Sequence, residues 1–393
     1  MKAISLERFI FTAGSVGISL SNMACGILLL IYADAESYGR FALLLVLMAL
    51  GQGISNAIFS SAMLASKYVE KVSSKLALLN ILFSVSWAFF VSLLIFDVVD
   101  YIEYLSTLLA VFLFLLRWFG RSVRLNAQDA KNAAISDFLY GVSLVTFFLS
   151  FSFISSFSLE CYLYASIVSA LLPCYQLRKS IFILRSIRNG GKLLIINYLR
   201  HGKHALLGVV CSEAIANGHS YFVSIVFGPA AFAPLAAASL LFRPYNLLSN
   251  SLAQYERVKY RRTEGDLDGF TARFSKILAL ILFVNGMVVV CLIYYFSDYV
   301  ILKKSENFHI DLMMATFFVG LIALVNVLKL PISTMLQAKA NFKMVGSAIF
   351  FGAIVAMPVT IVTAISIGPS ASMLGVLSGE IVSLLMILKK KNG

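Results

Sequence analysis

Apolar runs of about twenty residues recur along the whole chain, and short polar stretches separate them. A helix rises about 1.5 Å per residue, so such a run crosses about 30 Å of hydrocarbon. The pattern predicts twelve membrane helices, over 9–31, 40–63, 76–96, 102–120, 135–155, 161–177, 205–227, 230–253, 277–297, 311–337, 344–367 and 370–388. The sixth is the least clear, because its end runs into Gln176, Arg178 and Lys179. A membrane β-barrel would instead alternate over strands of about ten residues. The loops between the runs are too short for a separate catalytic domain. The start, MKAISLERFI, is basic, but the apolar stretch after it is too long for a cleaved signal and is expected to stay as the first helix.

Composition agrees with an all-α integral membrane fold. Hydrophobic residues are 60% of the 393 and charged residues 13%, with a mean hydropathy of +0.89. Soluble domains carry about a quarter charged residues. The charges are also lopsided. Of the 32 Lys and Arg, 27 fall in the two tails and in the loops 64–75, 117–134, 178–204, 254–276 and 338–343, all on one side of the predicted topology. Only Lys303 and Lys304 lie in a loop on the other side. Cytoplasmic loops retain Lys and Arg, so both termini are expected in the cytoplasm and the chain in a cytoplasmic (inner) membrane.

The net charge of +13 is therefore a topology signal. A nucleic-acid surface would need basic residues interleaved with stacking aromatics on a folded face, and no such partner is expected. Anionic membrane lipids are the expected partners of these loops. The cysteines, Cys25, Cys161, Cys174, Cys211 and Cys291, are scattered and form no CxxC pair. They read as packing residues, without a disulfide frame or metal site. No cofactor is expected.

Shifting the sequence by 194 residues lays the first six predicted helices on the last six. Tyr32–Tyr38 then meets Val226–Phe232, Ala42 meets Ala236, and Ser55-Asn56 meets Ser249-Asn250. Six spans are an even number, so the halves have the same orientation. The expectation is two six-helix bundles, 1–190 and 191–393, related by a pseudo-two-fold along the membrane normal. Pro229, Pro234, Pro244, Pro331, Pro358 and Pro369 all lie in the second half. Proline in a span frees a backbone carbonyl and bends the helix; these bends serve either packing or hinging.

Residues 227–266, FGPAAFAPLAAASLLFRPYNLLSNSLAQYERVKYRRTEGD, combine a Gly-Pro turn, an Ala-rich helix start, a mid-helix polar break and a basic-acidic loop. With YGRF at 38–41 and the two-half architecture, they resemble the MATE/MOP flippase superfamily, and within it the Wzx-type polysaccharide flippases. The resemblance implies translocation of an oligosaccharide carried on undecaprenyl diphosphate, from the cytoplasmic to the periplasmic leaflet. It also implies polysaccharide polymerase and chain-length proteins as further partners. In that family helices 1, 2, 7 and 8 line a central cavity.

Charges inside the predicted spans sharpen the reading. A charge at mid-bilayer costs about 2.5–3.5 kcal/mol on insertion scales, so it faces a cavity or a partner. Glu213, Arg243, Lys329 and Glu380 are such charges, and Arg40 lies near the outer mouth of helix 2. Arg243 reads as a bidentate contact for a diphosphate. It reads equally as a structural partner of Glu213, since both lie about 22 Å along their helices from the turn at Gly228. Lys329 and Glu380 read as a structural pair. Together with the amides Asn22, Asn56, Asn246 and Asn250, the residues Arg243, Glu213, Arg40 and Lys329 are the candidate substrate contacts. His219 is either a proton relay or a histidine bonded to a neighbouring helix.

Two other classes compete with a flippase. A MATE-like exporter of small organic cations would place an acidic residue in helix 1, where this chain has Ser15, Ser19, Ser21 and Asn22 instead. A membrane glycan polymerase would need a large outer loop, whereas 298–310 is the longest here. An acyltransferase would need an embedded base, and His219 is the one available. An enzyme is not expected.

Overall fold

Residues 2–60, 69–95, 101–126, 129–181, 203–262, 267–303, 306–339 and 341–391 are described by the structure, a computed structural model. All regular structure among them is helical. The helices are Lys2–Tyr32 (α1), Ala35–Ser55 (α2), Val69–Ile95 (α3), Tyr101–Asn126 (α4), Ala130–Ser155 (α5), Leu159–Gln176 (α6) and Lys203–Val226 (α7). They continue with Pro229–Leu241 (α8), Arg243–Arg262 (α9), Leu267–Lys303 (α10), Glu306–Ala338 (α11), Phe342–Ser366 (α12) and Met373–Lys391 (α13). A π turn, Asn56–Ser60, extends α2, and a 3₁₀ turn, Pro369–Ser372, leads into α13.

Eight helical stretches among the described residues are long and apolar enough to cross a membrane. They are Ala35–Phe59, Leu76–Ile95, Tyr101–Leu125, Lys131–Ser155, Gly269–Tyr295, Asn307–Ala338, Met344–Ser366 and Pro369–Lys389. The four other predicted spans are helical as well. In α1 the apolar part is Val16–Tyr32, and the eighth predicted span is cut into α8 and α9. In α6 and α7 the apolar residues are diluted, by Glu160 and Gln176 and by Glu213, Asn217 and His219.

The chain divides into two compact units, Met1–Ala33 with Arg40–Val210, and Asp34–Gly39 with Cys211–Gly393. In the first, α1 lies along α5, α5 along α6, and α4 packs on both α3 and α6. Here the structure corrects the sequence reading. That reading puts Arg117 and Arg121 in a cytoplasmic loop, 117–134. Instead α4 runs on to Asn126 and α5 starts at Ala130, so most of that loop is helix.

Asp137 explains the difference. It accepts from Arg117 Nη1 at 3.1 Å and from Arg121 Nε at 2.7 Å, and neither Arg117 nor Asp137 has any exposed side chain. The Arg117 guanidinium lies over the Tyr140 ring at 4.3 Å, and that of Arg121 over Trp118 at 4.4 Å. Carboxylate and rings together replace water around two cations. Charge counting alone sends such arginines to a loop.

In the second unit α12 and α13 form the tightest pair, along two ladders of small residues. Gly352, Ala356 and Thr360 on α12 face Ser383, Gly379 and Gly375 on α13. The four-residue spacing puts each set on one helix face, and small side chains let the backbones approach. The Ser383 hydroxyl donates to the Ala348 carbonyl at 3.2 Å across the seam. Ile215 of α7 fits against Gly352 and Gly379. Helix α11 packs on α8, α9, α10 and α13 and centres this unit.

Candidate functional site

The eighth predicted span is interrupted at Phe242. Pro229 opens α8 after Gly228, whose φ of +87° suits glycine. The Phe242 N–H still bonds back to Ala238 O, at 3.4 Å, and Asn246 N–H bonds to Phe242 O at 3.1 Å. Between them Pro244 has no N–H to offer, so the ladder loses a rung at the junction. Neighbouring helices brace the gap. Asn285 Nδ2 of α10 donates to the Leu241 carbonyl at 3.4 Å, and Tyr245 OH donates to Ala323 O of α11 at 3.2 Å. Tyr245 is almost wholly buried, which fixes the first turn of α9.

Arg243 is the first residue of α9 and is partly buried. Asn246 and Asn250, three and seven residues on, share its face and are exposed. Tyr38, buried in the short Asp34–Gly39 segment of the same unit, lies within electrostatic reach of Arg243. That segment is set by Asp34, whose carboxylate accepts from the Ser37 N–H at 2.8 Å and the Ser37 hydroxyl at 2.7 Å. At its end, a Cβ on Gly39 would overlap the carbonyl of Pro229, so only glycine allows this approach.

Of the two readings left open for Arg243, the pairing with Glu213 is not formed: among the described residues Glu213 is bonded otherwise. Its Oε1 accepts from Asn217 Nδ2 at 2.8 Å and from Tyr221 OH at 2.6 Å. Both donors stand on α7 itself, four and eight residues on, and serve the carboxylate without help from α9. Equal depth in two helices left out these nearer, uncharged donors.

The other candidates fall out as follows. Lys329 of α11 is ion-paired with Glu380 of α13 inside the second unit. His219 is buried, with Nε2 3.2 Å from the Ser220 hydroxyl and its ring beside Phe232. In the first unit Asn22 accepts from Tyr162 OH at 3.1 Å, and Asn56 accepts from Trp118 Nε1 at 3.0 Å. Arg40 lies 3.9 Å from Glu103. Of the eight candidates, Arg243, Asn246 and Asn250 share one helix face, and Glu213 and Lys329 stand on other helices of that unit. Asn22, Arg40 and Asn56 belong to the first unit.

Three residues that make these contacts escaped the sequence reading: Asp137, Tyr221 and Asn285. Asp137 could have been found as an acidic residue inside a predicted span that follows two arginines four apart. Asn285 could have been found as the one amide in ILALILFVNGMVVVCLIYY, residues 277–295.

No protein-family model matches the chain, and neither does any curated protein sequence. Solved structures do match it. A multidrug resistance MATE transporter of the MOP superfamily, in an inward-facing conformation, aligns over 97% of both chains with a TM-score of 0.69 and 14% identity. The lipid II flippase MurJ, in an inward closed conformation, aligns over 98% of this chain and 88% of its own, with a TM-score of 0.67 and 16% identity. A MOP superfamily transporter from Pyrococcus furiosus, described as having a binding pocket of reverse polarity, aligns over 100% and 95% with a TM-score of 0.58 and 16% identity. The chain therefore has the fold of the MATE and MOP transporters, and it is a multi-pass membrane protein.

Proposed function

We propose that the chain translocates an oligosaccharide linked to undecaprenyl diphosphate from the cytoplasmic to the periplasmic leaflet of the inner membrane, for surface polysaccharide assembly. In this reading it has twelve spans in two six-helix bundles, 1–190 and 191–393, with both termini cytoplasmic. Polysaccharide polymerase and chain-length proteins take up the product, and membrane lipids surround it.

The observation that carries the reading is Arg243 at the interruption of the eighth membrane helix. A guanidinium there meets a diphosphate with a fork of donors, and the N-terminal end of α9 adds its own partial positive charge. The amides of Asn246 and Asn250, exposed on the same face, are suited to sugar hydroxyls. Likeness to a lipid II flippase supports a lipid-linked cargo.

Cells lacking the chain should lose surface polysaccharide and accumulate the lipid-linked oligosaccharide on the cytoplasmic leaflet. Arg243→Ala should fail to restore either, at unchanged level in the membrane. Normal polysaccharide in the deletion strain overturns the function. Full complementation by Arg243→Ala overturns the role of Arg243 alone.

The likeness to multidrug MATE transporters favours a second reading, export of small organic cations, with Glu213 as the counter-charge. Drug sensitivity of the deletion strain with intact polysaccharide would select it.

A further inference from the structure

Helix α10 is a lipid-facing helix with one exception. Leu280, Phe283, Val284, Met287, Val288 and Val290 are all exposed along it. Phe274, Leu278, Asn285 and Val289 form its buried stripe, at spacings of four and seven residues. Asn285 is thus an amide at the middle of an apolar run, placed in the seam against the rest of the unit. A polar side chain at that depth is disfavoured unless it meets a partner. Its partner is the carbonyl of Leu241, one residue before the interruption that carries Arg243.

Helix α8 ends at Leu241 beside the Pro244 break, and the last carbonyls of a helix lack partners within it. Where a proline breaks the ladder inside a membrane, no water reaches the freed backbone groups, and neighbouring helices must satisfy them. Tyr245 is tied to α11 on the other flank of the break. These two bonds therefore tie the end of α8 to α10 and the start of α9 to α11, and Arg243 lies between the two ties.

We propose that Asn285 is a positioning residue: its amide fixes the angle of the break between α8 and α9, and so the presentation of the Arg243 guanidinium to an anionic headgroup. The headgroup part rests on the function proposed above; the bracing of the break does not.

The test uses the full chain in lipid nanodiscs, with the five native cysteines replaced. Spin labels at Ala230→Cys and Leu248→Cys, both exposed, report the distance across the break. Asn285→Leu, close in size but without a donor, should shift or broaden that distance distribution and cause a severalfold loss of translocation. Asn285→Gln, which keeps the donor, should restore both at least in part, which a loss of packing alone would not allow. In cells, Asn285→Leu combined with Arg243→Ala should be no worse than Arg243→Ala alone, because both act through one contact. An unchanged distance distribution in Asn285→Leu overturns the proposal, as does additivity of the two substitutions. A changed distribution with fully active Arg243→Ala would leave Asn285 as the brace and remove the headgroup from the account.

Discussion

Arg117 donates from Nη1 to Asp137 Oδ1 at 3.1 Å, with both side chains wholly buried, while Asp137 Oδ2 also serves Arg121 at 2.7 Å. One carboxylate thus compensates two cations, and the two kinds of truncation differ in consequence. Asp137→Ala strands both arginines in an apolar interior and should cost about 3–5 kcal/mol, the range for breaking a buried pair. Arg117→Met leaves Asp137 paired with Arg121, so it should cost much less. Melting temperature in detergent and yield in the membrane fraction measure both. Equal losses for the two variants would refute this charge assignment.

The seam between α12 and α13 gives a steric prediction. A Cβ on Gly352 would overlap the Ser383 hydroxyl and lie 2.6 Å from the Gly379 carbonyl oxygen, which cannot rotate away. Gly352→Ala should destabilise by about 1–3 kcal/mol, as overpacking does. Gly346→Ala, six residues earlier on α12, meets nothing within 4 Å and should be neutral or slightly stabilising. Thermal unfolding of the pair side by side decides it.

How far did sequence reasoning reach these features? Helices emerge from apolar run length, since a span needs enough residues to cross the hydrocarbon whatever their identity. The break at Phe242 was legible because Pro244 and Arg243 interrupt an Ala-rich run, and the Lys329–Glu380 pair because each charge demands a partner. Other features were hidden for specific reasons. Arg117 lies at the predicted end of a span, where a cation normally reaches headgroups, so nothing local marks it as buried. Tyr221 and Asn217 are uncharged donors, and a search for charge partners passes over them when it considers Glu213. Asn285 escaped because an amide carries no charge to count. Its meaning depends on a carbonyl 44 residues away, at the end of another helix.

A pH-dependent prediction concerns Asp129, which caps α5 outside the membrane-spanning stretch. The Asn132 side-chain amide, at 2.7 Å, does most to hold its carboxyl below the ordinary value. Partial burial works the other way, and the Asn132 N–H and Arg124 add to the lowering. A lowered folded-state value means that the stabilisation is present above the unfolded-state value, about 3.9, and is lost as pH falls through the folded-state one. Asp129→Ala should therefore cost about 0.5–2 kcal/mol, as loss of a helix cap does. The difference from wild type should stay flat from pH 8 to 5 and shrink below pH 4. Melting curves across that range test it; a difference that grows on acidification would contradict it.

The last prediction concerns the proposed cargo and tests Arg243 by chemistry and by voltage. A diphosphate carries about two negative charges, and the membrane potential, negative inside, favours their outward movement by about 2.3 kcal/mol per charge per 100 mV. The obstacle is the low-dielectric middle of the membrane, where an uncompensated anion is very costly. A cation part-way across lowers that barrier. Hydrogen bonds to charged groups contribute about 1.5–3 kcal/mol, which corresponds to about 10- to 100-fold in rate or affinity. Arg243→Ala should therefore lower translocation in proteoliposomes by about that factor. Arg243→Lys should retain part of it, because the charge remains while the bidentate fork is lost. In wild type, a potassium diffusion potential imposed with valinomycin, negative on the side that holds the substrate, should speed translocation, and the opposite sign should slow it. A rate that ignores the sign of the potential would mean that a neutralised or ion-coupled species crosses. Equal activity of Arg243→Ala and wild type under both signs would remove Arg243 from the path.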